Sequence, residues 1–446
     1  MNKRLATQIG VIVVLLAILG VEWYFVIDAI SGSGENTPAM EGGAGMGGGS
    51  SSASYSAVKE ITTDETIESG EFNSSKADEN AIMATGGVKA SLAGISVTKT
   101  GDSDGGDSTS FYGTNSAILA KGGANLTIKN ANITTDATGA NGVFSYGGSA
   151  TTNNTSADGT TVNISDSTIE TLKDNSGGIM TTGGGIMKAE NLTVKTAGTS
   201  SAAIRSDRGG GTVTVNKGTY GTSGKGSPAI YSTADITVKN AKLTATASEG
   251  VVIEGKNSVA LENVELVDTN NTLNGQSTTY KNVFLYQSMS GDAADGEAEF
   301  SAKDSKITTN KGDSFYVTNT TAKISLTNNT IVNNDAEGNF LRVQKDSWGK
   351  SGSNGGTVTL TMSNQKATGN IVVDSISKLS MELSGGSSYT GTINGENAGE
   401  VELVLDASSK ITLTGDSYVK SLTNADATNS NINLNGYKLY VGGVAI

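Results

Sequence analysis

The sequence predicts an all-β fold, a single-stranded right-handed parallel β-helix of about a dozen rungs. Three observations predict it. One short β-type element recurs along residues 81–446, a second element with a constant apolar spacing follows it, and one bend residue divides that second element. A solenoid can exceed the usual size of a domain because each rung contacts only its neighbours.

The first recurring element is a short run of β-forming residues that ends at a turn, often at Gly-Gly. Its clearest copies are NAIMATGG (80–87), SAILAKGG (116–123), NGVFSYGG (141–148), GGIMTTGG (177–184) and AAIRSDRGG (202–210). Runs of this length between turn residues are typical of strands. Loops of variable length follow or precede these copies. A three-faced coil has three corners in each rung, so one constant bend and two variable loops fit it.

The second element has an apolar residue, another two positions later, and a third five positions beyond that, as in Leu126, Ile128 and Ile133. The two-residue spacing predicts a strand with one face inward, and the five-residue step predicts a tight bend. The bend residue is predominantly Asn, Asp or Gly, which tolerate the left-handed αL backbone. The eleven predicted bend residues are Gly94, Asn130, Asp166, Asn191, Lys217, Asn240, Asn263, Asp304, Asn328, Asn364 and Gly415. Hairpins of an antiparallel sheet are the alternative, but they would not repeat one offset so often.

The N-terminus has the pattern of a targeting element. Lys3 and Arg4 precede an apolar stretch from Ile9 to Ile30, which is long enough to span a bilayer. The segment is either a cleaved signal peptide or, as we favour, an uncleaved signal anchor. Basic residues before the span place the bulk of the chain outside the cell. We therefore expect an extracellular protein that is anchored at the cell surface, or secreted if the signal is cleaved.

These patterns divide the chain into three parts. Residues 1–31 are the predicted signal peptide or anchor, and residues 32–54 form a Gly/Ser-rich linker that cannot bury a core. Residues 55–446 form the predicted β-helix, with 55–80 as its N-terminal cap and 428–446 as its C-terminal cap. Caps are expected because open sheet ends invite aggregation.

Composition excludes several kinds of function. The net charge of −13 argues against nucleic acid as a partner, since phosphate binding requires clustered Lys and Arg. The chain has no Cys, so it has no disulfide and no thiolate nucleophile. It has no His either, which removes the Ser-His-Asp type of catalysis. The pattern predicts no cofactor, and it leaves the oligomeric state open.

The first strand of each rung carries an unusual outward stripe. If its second residue points inward, the next residue points out, and these outward residues are largely apolar or aromatic where a solvated strand would be polar. They are Met83, Leu119, Phe144, Met180, Arg205, Tyr231, Ile253, Leu285, Tyr316 and Arg342. An exposed apolar stripe usually marks a binding surface.

Arginine is concentrated at the same face. Apart from Arg4, the only arginines are Arg205, Arg208 and Arg342, and Arg suits bidentate recognition of carboxylates. We therefore expect the face to bind a glycan, one that carries carboxylates. The predicted contact residues are Phe144, Tyr146, Met180, Arg205, Asp207, Arg208, Tyr231, Tyr316 and Arg342. The alternative is a structural patch covered by long loops, in which Arg205 is paired with Asp207.

An acidic loop is the main candidate for a metal site. Asp102, Asp104 and Asp107 have a spacing similar to calcium-binding loops, although the distal Glu of an EF-hand is missing. Calcium is therefore the one metal ion for which the sequence offers a candidate site.

The chain resembles a known superfamily at several points. The Asn-bearing tight bend between two strands, with large variable loops elsewhere, resembles the right-handed β-helices of the pectate-lyase-like superfamily. The segments SSAAIRSDRGGGTVTV (200–215), GSPAIYSTADITV (226–238) and SEGVVIEGKNSV (248–259) resemble uncharacterised microbial surface proteins described as adhesin-like or carbohydrate-binding. The resemblance covers residues 81–446 and implies a fold that hosts both enzymes and non-catalytic binders.

Three functions follow as hypotheses. The first is a non-catalytic, adhesin-like protein whose partner is an extracellular polysaccharide or a host or neighbouring cell surface, with membrane contact only through the N-terminal segment. The second, implied by the resemblance, is a pectate-type polysaccharide lyase with Arg205 as base, beside Asp207. The third is an ice-binding solenoid, suggested by Thr-x-Thr pairs such as Thr212 and Thr214. We assign no catalytic residues, because the face shows no repeated pair of carboxylates.

Overall fold

The computed structural model describes residues 53–103, 106–149, 156–275 and 277–446. Within these ranges strands dominate, and the one α-helix is Gly106–Tyr112. The strands pair in parallel except at the C-terminal end, where Leu439–Val441 pairs with Val444–Ala445 in the antiparallel sense. The prediction of an all-β chain with stacked parallel strands is therefore confirmed for the described residues.

The first strand of each rung belongs to a twelve-stranded parallel sheet, which we call the front sheet. Its strands are Ala57–Ile61, Asn80–Ala84, Ile118–Ala120, Val143–Tyr146, Ile179–Thr182, Ile204–Ser206, Ile230–Ser232, Val251–Glu254, Lys281–Tyr286, Asp313–Thr318, Leu341–Val343 and Ile371–Val373. The recurring Gly-Gly elements of the sequence therefore form its strands. Each of them pairs with the same element of the next rung.

The second recurring element forms a parallel sheet of 22 strands, which we call the bent sheet. Its strands before the bend are Glu65–Ile67, Lys89–Ala93, Asn125–Lys129, Thr161–Ser165, Asp235–Lys239, Ser258–Glu262, Glu297–Lys303, Thr321–Thr327, Thr357–Ser363, Lys378–Ser384, Glu400–Leu405 and Ser421–Asn424. Its strands after the bend are Gly70–Ser74, Ile95–Lys99, Asn132–Thr135, Thr168–Thr171, Lys242–Ala245, Glu265–Asp268, Lys306–Thr309 and Thr330–Asn333. Gly185–Thr196 and Gly211–Thr222 run through the bend as single long strands.

Two smaller sheets complete the C-terminal part. One has the four strands Lys366–Thr368, Ser388–Gly391, Lys410–Leu413 and Ile432–Asn433, and the other has Ser417–Val419, Leu439–Val441 and Val444–Ala445. Each turn of the chain thus adds one front strand and two strands around a bend. The arrangement is a solenoid-like stack, consistent with a parallel β-helix.

The bend is built from left-handed residues, as predicted. Asn240 and Asn263 both have φ of 54°, and Lys217 has φ of 62°. Ten of the eleven predicted bend residues have positive φ: Gly94, Asn130, Asp166, Asn191, Lys217, Asn240, Asn263, Asp304, Asn328 and Asn364. Gly415 is the exception and that prediction is wrong. Its preceding strand Lys410–Leu413 pairs in the four-stranded sheet rather than the bent sheet, so Gly415 lies at a different corner of its rung.

The amides at the bend form an exposed edge ladder. Asn263 donates from Nδ2 to Asn240 Oδ1 at 2.8 Å, and Asn240 donates in turn to Asn216 Oδ1 at 2.7 Å. Asn328 donates to Asp304 Oδ1 at 2.6 Å in the same way. Each bond joins neighbouring rungs, so the ladder ties the rungs together at the corner, beside backbone bonds such as that from the Asn240 N–H to the Glu262 carbonyl.

The interior is largely apolar, and a polar column lies at the end of the strands after the bend. Lys99, Thr135, Thr171, Thr196, Thr222, Asp268 and Thr309 occupy this column and are buried. Lys99 donates from Nζ to the carbonyl oxygens of Lys76 and Gly101, both at 2.7 Å. Asp268 accepts the backbone N–H of Asn270 at 2.7 Å. Both ionisable side chains are therefore hydrogen-bonded to backbone groups inside the stack.

The predicted N-terminal anchor, residues 1–31, lies outside the described residues, as does the linker up to residue 52. In the ranges that the structure describes, no helix is both long enough and apolar enough to cross a membrane.

Candidate functional site

The outward stripe of the front sheet is a continuous column. Register joins Met83, Leu119, Phe144, Met180, Arg205, Tyr231, Val252, Phe284, Tyr316 and Arg342 across neighbouring strands. Eight of its members were predicted. Ile253 and Leu285 were not placed correctly: both belong to the core, and Val252 and Phe284 face outward instead. A shift of one residue exchanges the two faces of a strand, which explains both errors.

The N-terminal half of the stripe is covered by a helix. Phe144 and Met180 are 0% exposed. The helix Gly106–Tyr112 lies over them: the Tyr112 ring packs edge-on against Tyr146 with centroids 5.5 Å apart. Thr182 Oγ1 donates to the Phe111 carbonyl at 2.7 Å. The expectation of an open apolar surface is wrong here, because the long loop that precedes Asn115 folds onto it.

A second cover lies over the C-terminal half. The ring of Trp348, from the loop after Val343, packs 5.2 Å from Phe284 and 5.3 Å from Tyr286. Beneath it the Lys281 ammonium, whose side chain is 0% exposed, lies 4.4 Å from the centroid of the Phe284 ring. Tyr316, a predicted contact residue, is likewise 0% exposed. Burial lowers the pKa of Lys281, while the nearby Glu249 carboxylate opposes that effect.

Between the two covers the outer face is polar. We call this region the polar band and define it by Arg205, Asp207, Arg208, Tyr231, Glu254 and Asp292. Arg205 Nη2 donates to Asp207 Oδ2 at 2.9 Å, with both side chains 11% exposed. Arg205 also donates to the Ser200 carbonyl at 3.1 Å. This is the paired arrangement that the sequence left as the alternative to a free ligand-binding arginine.

Arg208 and Asp292 form the outer rim of the polar band. Arg208 donates from Nε and Nη2 to Asp292 Oδ1, at 2.9 and 2.7 Å. Its guanidinium lies 4.0 Å from the centroid of the Phe111 ring. The two side chains are 36% and 21% exposed, so they are the most accessible charges of the band. The ion pair joins the front sheet to the loop after Tyr286.

Glu254 is the floor of the polar band. Its carboxylate is buried and accepts hydrogen bonds from four hydroxyl groups, those of Tyr231, Tyr286, Ser288 and Ser290. Tyr286 Oη donates at 3.1 Å. Its direction was ambiguous from the sequence, and the structure shows that it points outward. Four donors satisfy a carboxylate that would otherwise be costly to bury.

The carboxyl group of Asp207 is electrostatically perturbed. Burial raises its pKa to about 6, and the Arg205 guanidinium opposes part of that rise. The charges of Asp292 and Glu254 add to it, so the three carboxyl groups interact with one another. The pKa of the Tyr231 hydroxyl is raised well above its usual value, first by burial and then by Glu254. A tyrosine in that state acts as a hydrogen-bond donor, not as a base.

All three arginines of this face are paired with carboxylates. Arg342 Nε donates to Asp313 Oδ2 at 2.5 Å, and its Nη1 donates to Gln344 at 3.2 Å. Arg205 and Arg208 have the partners described above. The expectation of a carboxylate-bearing ligand assumed that the guanidinium groups were free to form two hydrogen bonds to it. In the structure each guanidinium is already hydrogen-bonded to a carboxylate of the protein.

The candidate calcium loop is described only in part. Asp104 lies outside the described residues. Asp102 Oδ1 accepts the backbone N–H of Thr138 at 2.7 Å, and Asp107 lies in the first turn of the helix. Among the residues that the structure places, no three acidic groups meet in an arrangement that could hold a metal ion. Calcium binding at this loop stays a prediction.

Sequence reasoning did not place the loop after the front strand Lys281–Tyr286 in the polar band. Ser288, Ser290 and Asp292 come from that loop, and the covering residue Trp348 lies in another variable loop. One signal was present: Phe284 and Tyr286 alternate with core residues and predict an aromatic outward face for that strand. The contacts of the loops themselves have no sequence period.

Comparison with known proteins finds no matching family model, no matching curated protein and no matching solved structure. The proposed binding site therefore rests on the geometry of the front sheet.

Proposed function

We propose that this chain is an extracellular, adhesin-like protein that binds a polysaccharide at the polar band. We also propose that its stack of parallel strands is a right-handed β-helix of the pectate-lyase-like type and that the N-terminal segment anchors it at the cell surface. The polar band supports the binding proposal because it separates two apolar, covered stretches of the column. A structural patch needs no such interruption, since buried charges cost stability unless every partner is present.

The accessible part of the band has the chemistry of a sugar-binding surface. Arg208 and Asp292 offer donors and acceptors at the rim, and Tyr231 lies partly exposed between the covers. Met289, in the same loop as Asp292, is 69% exposed and offers an apolar contact. Sugars present hydroxyl groups beside apolar C–H faces, so a surface of this mixed kind suits them.

The charge of the band favours a neutral polysaccharide. Two arginines face three carboxyl groups, and both arginines are already paired. A uronate would have to displace an internal carboxylate from Arg205 or Arg208. A hydroxyl group can instead bond to the rim without breaking either pair, so we expect neutral chains to bind more tightly than acidic ones.

Affinity electrophoresis of the full-length chain tests this proposal. Gels would contain laminarin, xylan or polygalacturonate, and the wild type is compared with Arg208→Ala and Tyr231→Phe. We expect a neutral polysaccharide to retard the wild type and each substitution to weaken that retardation about tenfold, the effect of losing one good hydrogen bond. Lys173→Ala is the control, because Lys173 forms an exposed ion pair with Asp136 on another part of the surface. Unchanged retardation of both site variants would contradict the proposal.

The lyase alternative has a direct readout. If Arg205 is the base, polygalacturonate should yield unsaturated products with the wild type and none with Arg205→Lys. Arg205 is engaged by Asp207 and by the Ser200 carbonyl, and a paired guanidinium is a poor base. We expect no unsaturated product, and its accumulation would replace binding by catalysis as the function.

A further inference from the structure

A concave surface lies on the bent sheet, away from the front sheet. It is a trough along the corner of the rungs, and five successive bends line it. The lining residues are Gly218, Asn240, Ala241, Lys242, Asn263, Val264, Glu265, Asp304, Ser305, Lys306, Asn328 and Thr330. With about 4.8 Å between rungs, the four steps extend about 19 Å along the stack.

The trough has a regular cross-section. In the three central rungs the αL residue forms one wall, the next residue is buried and forms the floor, and the residue after that forms the other wall. Ala241, Val264 and Ser305 make the floor and are 7%, 2% and 4% exposed. These three floor side chains are small or aliphatic, and none of them is aromatic. An extended chain can lie along the floor.

The first wall is a row of side-chain amides with unused capacity. Asn240 gives one N–H to Asn216 and accepts one from Asn263. An amide has two donor hydrogens and two acceptor lone pairs, so one of each stays free on Asn240. The side chain is exposed, so these free groups face the solvent of the trough. Asn263 and Asn328 likewise keep a second donor hydrogen each, whereas Asp304 between them offers only acceptor oxygens.

The second wall is charged but balanced. Lys242 Nζ lies 3.2 Å from Glu265 Oε2, and Lys306 Nζ lies 4.0 Å from Glu265 Oε1. With Asp304 on the amide wall, the lining of the trough contains two cations and two carboxylates. The trough therefore attracts neither a polyanion nor a polycation, and its recognition groups are hydrogen-bonding ones.

We propose that this trough is a second binding site, independent of the polar band, for an extended neutral polysaccharide lying along the stack. The hydroxyl groups of the polysaccharide form hydrogen bonds to the amides of Asn240, Asn263 and Asn328 on one wall. They also form hydrogen bonds to the lysine ammonium and glutamate carboxylate groups on the other wall. No ring stacks on the floor, so affinity is weak for each sugar and rises with chain length. A protein with binding sites on two faces can cross-link two polysaccharide molecules.

Glycine substitution tests the amide wall without disturbing the bend. The triple variant Asn240→Gly, Asn263→Gly, Asn328→Gly removes the amides and keeps the αL backbone, which glycine adopts freely. Asn130→Gly is the matched control, because Asn130 has the same backbone at φ of 53° but lies outside the trough. The opposite wall is removed separately by Lys242→Ala with Lys306→Ala, two exposed positions that leave the bend untouched.

The measurement is affinity electrophoresis of the full-length chain in gels containing dextran, laminarin or xylan. It is carried out in the background Arg208→Ala, so that the polar band contributes little. We expect at least one neutral polysaccharide to retard this background, and the triple glycine variant and the double lysine variant each to weaken the retardation about tenfold or more. Asn130→Gly should behave as the background does.

Three results would overturn the trough site. They are the absence of retardation in all three gels, equal retardation of the background and both wall variants, and an equal loss with Asn130→Gly. The polar-band proposal is judged separately, by the effect of Arg208→Ala on the wild type. If the triple glycine variant does not fold, the double lysine variant decides alone.

Discussion

At the scale of single residues, intrinsic backbone preference made the bend predictable. Asn, Asp and Gly tolerate the αL conformation, so their recurrence at one offset predicted ten of the bends correctly. Gly415 shows the limit, because glycine also occurs at corners of other kinds. The buried ionisable residues Lys99 and Asp268 were not predicted, since single polar residues in the column of threonines have no pattern that marks them as interior.

The bend residue Asn240 provides a first test. Asn240→Leu should lower the free energy of unfolding by roughly 1–3 kcal/mol, because leucine is strained at positive φ and the ladder loses a hydrogen bond. Asn240→Gly should cost less, since only the hydrogen bonds are lost. Urea unfolding followed by circular dichroism measures both. Equal stability of the wild type and the leucine variant would show that the bend does not need the αL residue.

The buried carboxyl of Asp268 predicts a pH dependence. Burial raises its pKa from 3.8 to about 8, and the charge of Glu249 adds to the rise while the Asn270 N–H opposes it. The folded state therefore keeps a proton that the unfolded state releases. The stability that this group contributes is complete below about pH 4 and declines as the pH rises to about 8, by at most about 1.4 kcal/mol per pH unit.

Asp268→Asn should remove this decline, because the amide keeps an oxygen for the Asn270 N–H and cannot ionise. Thermal unfolding of both proteins between pH 4 and 9 measures the difference. If the two curves of melting temperature against pH run parallel, Asp268 does not titrate in this range.

At the scale of elements, the sequence identified the strands and the positions of the loops but not what the loops do. The front strands alternate apolar residues with period two, so their inward and outward residues followed from the sequence. The exceptions are Val251–Glu254 and Lys281–Tyr286, where the predicted alternation was shifted by one residue. The apolar stripe was expected to be open, and loops that cover it belonged to the alternative of a structural patch. The loops before Asn115 and after Val343 do cover the face, because Phe111 and Trp348 pack on the side chains beneath them.

The cover at Trp348 can be tested by proteolysis. Trp348→Ala should release the loop from Phe284 and Tyr286, because the indole makes the aromatic contacts that hold it there. We expect trypsin to cleave after Lys345 and Lys350 several-fold faster than in the wild type, since loops with few packing contacts open locally. Tyr437→Ala, at a tyrosine 41% exposed elsewhere, is the control and should not alter the rate. Unchanged cleavage would mean that other contacts hold the cover.

At the scale of the whole molecule, the stack brings together residues that are far apart in the sequence. Arg208 and Asp292 are separated by 84 positions, yet they form the rim of one site. Sequence reasoning placed Arg205, Asp207 and Tyr231 on that face because they lie on strands of known register. It did not determine the direction of Glu254 or the place of Asp292, because loop packing and the length of the insertions decide which side chains meet. The polar band is thus partly predicted and partly found.

Hydrogen exchange of the full-length chain, with and without the neutral polysaccharide that retards it most in electrophoresis, tests the polar band most directly. Mass spectrometry of peptides then shows which amides the ligand protects. We predict slower exchange at residues 205–210 and 286–293, where the rim and the loop of the polar band lie. We predict no change in the bent-sheet strand Lys378–Ser384, which contributes nothing to the polar band. Protection confined to other segments, with both band peptides unchanged, would contradict the assignment of the polar band as the binding site.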